Sequence, residues 1–265
     1  MTTLYAFDSS DEITQALGRA LRMAFLADTN VLAGQYMKQA YDEAISSRGK
    51  FTLAISGGSL AKFMGSSIVK DKSIDWTKWH VFFADERIVP LDHEDSNYKL
   101  QQAEFFSKTG IPEDQIHRID PTLEPQDVAD DYESQLVKVF ANKDTVKIPM
   151  FDLVLLGCGP DGHTCSLFPN HEILREDVAW VGLVEDSPKP PAKRITLTLK
   201  VVAAAHRIAF VATGEGKQEI LKEIFDDHES NLPCALVNKE SKDKCSWFCD
   251  KAAVKNVMYD TKGKL

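Results

Sequence analysis

Short apolar runs alternate along this chain with longer segments whose apolar residues recur every three or four positions. Ser9 and Glu12 form an S-x-x-E capping box, and Ile13, Leu17, Ala20, Leu21 and Ala24 follow at helical spacing. A second helix is predicted from about Leu32 to Ser47, ended by Gly49. FTLAIS (51–56) reads as a buried strand, followed by GGS and the helix-compatible LAKFMGSSIV. WHVFF (79–83) is a further strand running into ADER. Asn97 is expected to cap a helix reaching about Lys108, and Pro125 to open one ending near Phe140. FDLVLL (151–156), AWVGLV (179–184), RITLTL (194–199) and RIAFVA (207–212) are rich in β-branched or aromatic residues and predict strands. GKQEILKEIF (216–225) predicts an amphipathic helix, and Cys245 and Cys249 flank SWF in another strand. SPKPPAK (187–193) is the most loop-like stretch.

Strands alternating with helices imply an α/β fold with a mostly parallel sheet covered on both faces. No internal repeat or composition shift marks a linker, so one domain over residues 1–265 is expected.

Composition adds exclusions. No stretch approaches the ~18 apolar residues of a membrane span. The start MTTLYAFDSSDEI shows no basic flank or apolar core of a signal peptide. A net charge of -9 argues against nucleic acid as a partner, since phosphate backbones attract basic surfaces. A small anionic substrate stays compatible, because a few cations suffice for a local positive pocket. Five cysteines, an odd number, fit reduced thiols in the cytoplasm.

GCGPDGHTCSLFP (157–169) contains Gly157, Gly159 and Gly162 in the G-x-G-x-x-G spacing of a dinucleotide-binding turn. That turn needs a helix at its last glycine to receive the pyrophosphate. Here only HTCSLF separates Gly162 from Pro169, and proline ends any helix there. A loop at the carboxyl end of a central strand, where open α/β sheets bind ligands, is the better reading. His163 is then either a proton acceptor near neutral pH or a ring that only hydrogen-bonds within the turn. Asp161, two residues away, would orient the ring or the loop.

Other segments carry the same duality. ISGGS (55–59) is an anion nest at a helix start or an ordinary tight turn. Asp85, Glu86 and Arg87 are a solvated charge cluster, or they bring a phosphate clamp to a strand end. Arg194 opens a strand; Lys217 opens a helix, where a cation opposes the dipole unless an anion lies nearby. Cys158, His163, Cys165 and His171 match no familiar zinc spacing, and no G-x-S-x-G elbow is present.

SGGS (56–59), FFADER (82–87), SN (96–97), GCGPDGHTCSLFP (157–169), PAKRITLT (191–198) and GEGKQE (214–219) together resemble the 6-phosphogluconolactonase family, in that family's order. The resemblance implies a Rossmann-like three-layer sandwich shared with glucosamine-6-phosphate deaminases, with no nucleotide cofactor and no metal. It implies hydrolysis of 6-phospho-D-glucono-1,5-lactone, the second step of the oxidative pentose phosphate pathway, by a cytoplasmic monomer with no membrane partner. Gly57, Gly58, Ser59, Arg194 and Lys217 would hold the phosphate. His163 would be the general base, with Asp85, Arg87 and Asp161 lining the reacting end. The related deaminases carry a glutamate in an N-E-P shortly after D-G-H, where this chain has Phe168 and Pro169. A non-catalytic relative that only binds a sugar phosphate is the other alternative.

Overall fold

The computed structural model describes residues 2–7, 36–58, 60–141 and 147–262. The expected capping box at Ser9 and Glu12, the helix after it and the start of the second helix lie outside the described residues. The described elements are β1 (Thr3–Phe7), α1 (Tyr36–Arg48), β2 (Phe51–Ile55), α2 (Leu60–Ser67), β3 (Trp79–Phe83), β4 (Asp85–Arg87), α3 (Asn97–Glu104) and α4 (Pro125–Phe140). They continue with β5 (Leu153–Gly157), β6 (Val181–Val184), β7 (Arg194–Leu197), α5 (Leu199–Ala204), β8 (Ile208–Ala212), α6 (Gln218–Asp226), α7 (Pro233–Ser241), β9 (Cys245–Asp250) and β10 (Thr261–Lys262).

Seven strands form one sheet in the order β10-β1-β9-β8-β5-β2-β3, and every neighbouring pair is parallel. All five residues of β2 and of β8 are buried, so both faces of the sheet centre are covered. Aromatic rings pair across neighbouring strands of the sheet: Phe210 of β8 stacks on Trp247 of β9 at 4.0 Å between centroids, and Phe51 of β2 meets Trp79 of β3 edge-on at 4.6 Å. The chain passes from β2 to β3 on one side, then returns to β5, β8 and β9 on the other. Strand order therefore reverses between β2 and β5, and such a switch leaves a crevice beyond the strands' carboxyl ends.

The structure departs from the sequence expectations in several places. β6 and β7 do not join the parallel sheet; with β4 they form a separate antiparallel one, ordered β4-β7-β6. RITLTL is a strand only to Leu197, and Leu199 already starts α5, where Val201 and Val202 are buried. Burial there overrides the β preference of valine. β5 begins two residues later than expected because the Asp152 carboxylate takes the Thr52 N–H and hydroxyl instead, both at 2.8 Å. Strand β1 and helices α5 and α7 had no sequence signal strong enough to predict them. Helix α3 is capped by Ser96, whose Oγ accepts from the Lys99 N–H at 3.2 Å, and it ends at Glu104.

Tyr132 of α4 ties the helix layer to β3. It is fully buried, and its Oη accepts the Phe83 N–H at 2.6 Å while the carbonyls of Phe83 and His117 lie at 3.3 Å. Tyr132→Phe keeps the ring but orphans that N–H. Chemical denaturation should show a loss of about 1–3 kcal/mol with an unchanged denaturant slope.

Candidate active site

A cleft of about 250 Å³ opens at the switch point, beyond the carboxyl ends of β2, β5 and β8. Its lining includes Gly57, Gly58, Asp85, Arg87, His163, Arg194 and Lys217. Seven of the nine residues expected at the site thus meet in one cleft. Asp161 stands just behind, bonded to His163; Ser59 lies outside the described residues. A larger hollow of about 780 Å³ lies at the opposite strand ends. Its Arg48 and Arg207 are already paired with Asp152 and Glu43, so it offers little uncommitted charge.

The glycine-rich segment after β5 is a loop, not a dinucleotide turn. Between Gly157 and β6 the only helical stretch is the short 3-10 turn Glu172–Arg175. The loop closes through Gly159 N–H to the His163 carbonyl at 2.8 Å and Thr164 Oγ1 to the Gly157 carbonyl at 2.9 Å. Gly159 must be glycine for the ring to sit as it does, since a Cβ there would lie 1.9 Å from His163 Nδ1.

His163 Nδ1 lies 2.5 Å from Asp161 Oδ1. Burial raises the Asp161 carboxyl, but hydrogen bonds from His163 and then Lys189 outweigh it and hold the group down at about 2. The carboxylate is therefore unprotonated near neutrality, and the shared proton belongs to Nδ1. This leaves Nε2 as the lone-pair nitrogen, and among the described residues it has no hydrogen-bond partner. Burial, opposed by Asp161, also keeps the imidazole below its ordinary value, so it is neutral at physiological pH. Chemically this is a base with its proton acceptor open.

The opposite wall is cationic. β4 and β7 pair antiparallel with Arg87 directly across from Arg194. Burial and then the Arg87 charge both lower the Arg194 guanidinium's affinity for its proton. Arg194 is buried: Nε donates to the Pro191 carbonyl at 2.8 Å, Nη2 to the Lys189 carbonyl at 2.7 Å. Arg87 Nη1 donates to the Asp95 carbonyl at 2.8 Å, and its buried Nε is ion-paired with Asp85 Oδ2 at 4.0 Å, beyond hydrogen-bond distance. Lys217 Nζ reaches the Cys158 carbonyl at 2.6 Å, fixing this cation beside the histidine loop. Among the described residues neither the Gly57 nor the Gly58 N–H has an acceptor, and Gly58 takes φ +71°. The cleft lining so holds three permanent cations against one carboxylate, Asp85, which accepts the Ser166 hydroxyl at 2.9 Å.

Residues 28–247 match the family model described as glucosamine-6-phosphate isomerases/6-phosphogluconolactonase. The chain belongs to this family. A relative named probable 6-phosphogluconolactonase, from Schizosaccharomyces pombe, is 54% identical over 231 residues, 84% of this chain and 90% of that one. The 6-phosphogluconolactonase of Rattus norvegicus is 46% identical over 212 residues, 78% of this chain and 81% of that one. The crystal structure of 6-phosphogluconolactonase from Thermotoga maritima matches with a TM-score of 0.76 at 25% identity, covering 95% of this chain and 100% of that one.

Three contributors within this family member escaped sequence reading. Lys189 touches both Asp161 and His163. Ser166 bridges Asp85 and Arg194, the latter at 3.4 Å. Asn97 was read as a helix cap, yet its side-chain amide donates to the Asp85 carbonyl at 2.8 Å. Cys158, His163 and Cys165, whose spacing with His171 matches no zinc pattern, all line the cleft, but among the described residues no group of three or more His, Cys, Asp or Glu side chains is placed to hold a metal ion.

Asn97 also explains Gly57. A Cβ on residue 57 would lie 1.9 Å from Asn97 Oδ1, and that amide is held by Asp85 and buried. Gly57→Ala should force the amide away and destabilise the fold by about 1–3 kcal/mol in chemical denaturation. A variant as stable as wild type would contradict this contact.

Proposed function

We propose that this protein hydrolyses 6-phospho-D-glucono-1,5-lactone to 6-phosphogluconate, with His163 as general base. The observation that carries the reading is that His163, its Nε2 without a hydrogen-bond partner among the described residues, lines the same cleft as a cluster of cations and backbone N–H groups without acceptors. The names of the relatives support the substrate.

The phosphate is held by the Gly57 and Gly58 N–H groups, Ser59, Arg194 and Lys217, where its charge relieves the repulsion between cations. Anchoring that end sets the lactone carbonyl against the imidazole, so remote binding assists the chemical step. His163 Nε2 takes a proton from water as the water oxygen attacks C1. The Nδ1–H bond to Asp161 steadies the imidazolium that forms. We assign the Arg87 guanidinium to the oxyanion, held in place by Asp85, which lies 4.0 Å from its Nε and also accepts the Ser166 hydroxyl. Collapse of the tetrahedral intermediate breaks the bond from C1 to the ring oxygen, which receives the proton from Nε2. The product is an open-chain acid that ionises to a carboxylate. As the second reaction of the oxidative pentose phosphate pathway, we place it in the cytoplasm.

His163→Ala should lower kcat by roughly 10²–10⁴-fold, measured with freshly made lactone and corrected for spontaneous opening. Calorimetry should still show 6-phosphogluconate binding; unchanged turnover removes His163 from the role of base. Lys217→Met should raise KM for the phosphorylated lactone about tenfold or more. It should leave the hydrolysis of unphosphorylated gluconolactone little changed, and an equal loss on both substrates contradicts the phosphate assignment.

A further inference from the structure

The loop between β6 and β7 does more than connect strands. Its sequence SPKPPAK leaves Lys189 between two prolines, and neither proline has an N–H to donate. The carbonyls of Lys189, Pro190 and Pro191 all accept from the buried Arg194 guanidinium, at 2.7, 3.1 and 2.8 Å. Ser187 adds a reciprocal clasp: its Oγ donates to the Lys189 carbonyl at 2.8 Å and accepts the Lys189 N–H at 3.2 Å. A backbone fixed by so many bonds delivers its side chain to one place. Lys189 Nζ ends 3.0 Å from Asp161 Oδ1 and 3.0 Å from His163 Nδ1. Both nitrogens carry protons, so they are two donors sharing one carboxylate oxygen.

We propose that Lys189 is a positioning residue of the hydrolytic reaction: its ammonium clamps the Asp161 carboxylate onto Nδ1 of His163 and keeps the imidazole neutral, with Nε2 bare. This rests on the function proposed above. Without a counter-charge, a carboxylate bonded to an imidazole favours the imidazolium, which is useless as a base. Lys189 cancels that pull while leaving the orienting hydrogen bond in place.

The other groups around the ring do not substitute for it. Asp85, from β4, favours the imidazolium. Arg194 is screened by Phe168, whose ring lies 5.0 Å from that of His163 and 5.6 Å from the guanidinium. Lys217 is bound to the Cys158 carbonyl, and from α7 the Cys234 thiol meets only the His163 carbonyl, at 3.6 Å. Burial favours the neutral ring, with Lys189 acting in the same direction.

The test is a pair of titrations on wild type, Lys189→Met and Lys189→Arg. One follows the His163 imidazole by NMR in the full-length protein; the other follows kcat/KM for the phosphorylated lactone against pH. In Lys189→Met, the imidazole midpoint and the acidic limb of the rate profile should both move to higher pH. Activity near pH 6 should fall about tenfold while that near pH 8.5 stays close to wild type. Lys189→Arg should restore both curves. An unmoved imidazole midpoint in Lys189→Met overturns the proposal. A uniform rise in KM with an unmoved midpoint does so too, and makes Lys189 a substrate contact instead. If wild type hydrolyses no lactone, the functional reading fails, yet the NMR comparison still decides whether Lys189 governs His163.

Discussion

A carboxylate shut away from solvent must find its donors inside the protein, and Glu86 finds three backbone N–H groups on two different elements, besides the Ser96 hydroxyl at 3.4 Å. Its oxygens accept the Arg87 N–H at 2.7 Å, the Asn97 N–H at 2.8 Å and the Tyr98 N–H at 2.7 Å. One side chain thereby caps α3 and fixes it to β4. Burial pushes the Glu86 carboxyl up to about 7, against the pull of those N–H bonds. The consequences spread through the cleft. Fixing α3 sets the Asn97 amide on the Asp85 carbonyl and against Gly57, which shapes the turn after β2. Fixing β4 holds Arg87 opposite Arg194, whose guanidinium in turn organises the proline-rich loop. In the sequence Glu86 is one member of an ordinary charged triplet; in the fold it joins both walls of the site.

Much of the fold was legible because central parallel strands are buried on both faces and read as unbroken apolar runs. Pro125–Phe140 was read to the residue, since a proline at the first helical position is a sharp signal. The antiparallel β4-β7-β6 sheet was not legible, because strand direction leaves no mark in a four-residue apolar run. At the site, seven of the nine residues singled out from turns and strand ends line one cleft, because the ends of parallel strands meet on one side of the sheet. Lys189, Ser166 and Asn97 were missed. Each acts through bonds to residues 12 to 81 positions away, and no local pattern encodes such bonds.

The chain is acidic overall, yet its cleft gathers Arg87, Arg194 and Lys217 around Asp85. Like charges facing each other across a β-pair weaken the sheet, so folding alone gives no reason for them. Lys217 sits just before α6, where the helix dipole also disfavours a cation. These costs cease to be costs once a dianion occupies the cleft. The net charge and the local field thus differ in sign: the whole chain is acidic, while the cleft lining carries more cations than carboxylates.

The family includes isomerases as well as lactonases, and Phe168 bears on which chemistry this cleft favours. Opening a sugar ring by isomerisation asks for an acid near the base, to protonate the ring oxygen while the base works on carbon. Here Phe168 and Pro169 stand at that place in the sequence, shortly after D-G-H, and the fully buried Phe168 ring, 5.0 Å from that of His163, has no proton to give. A carboxylate in that position would also stabilise the imidazolium and spoil the base. The hydrolysis proposed above makes no such demand, because in it the proton taken from water by His163 is the one returned to the leaving oxygen. In that proposal one nitrogen serves both halves of the reaction.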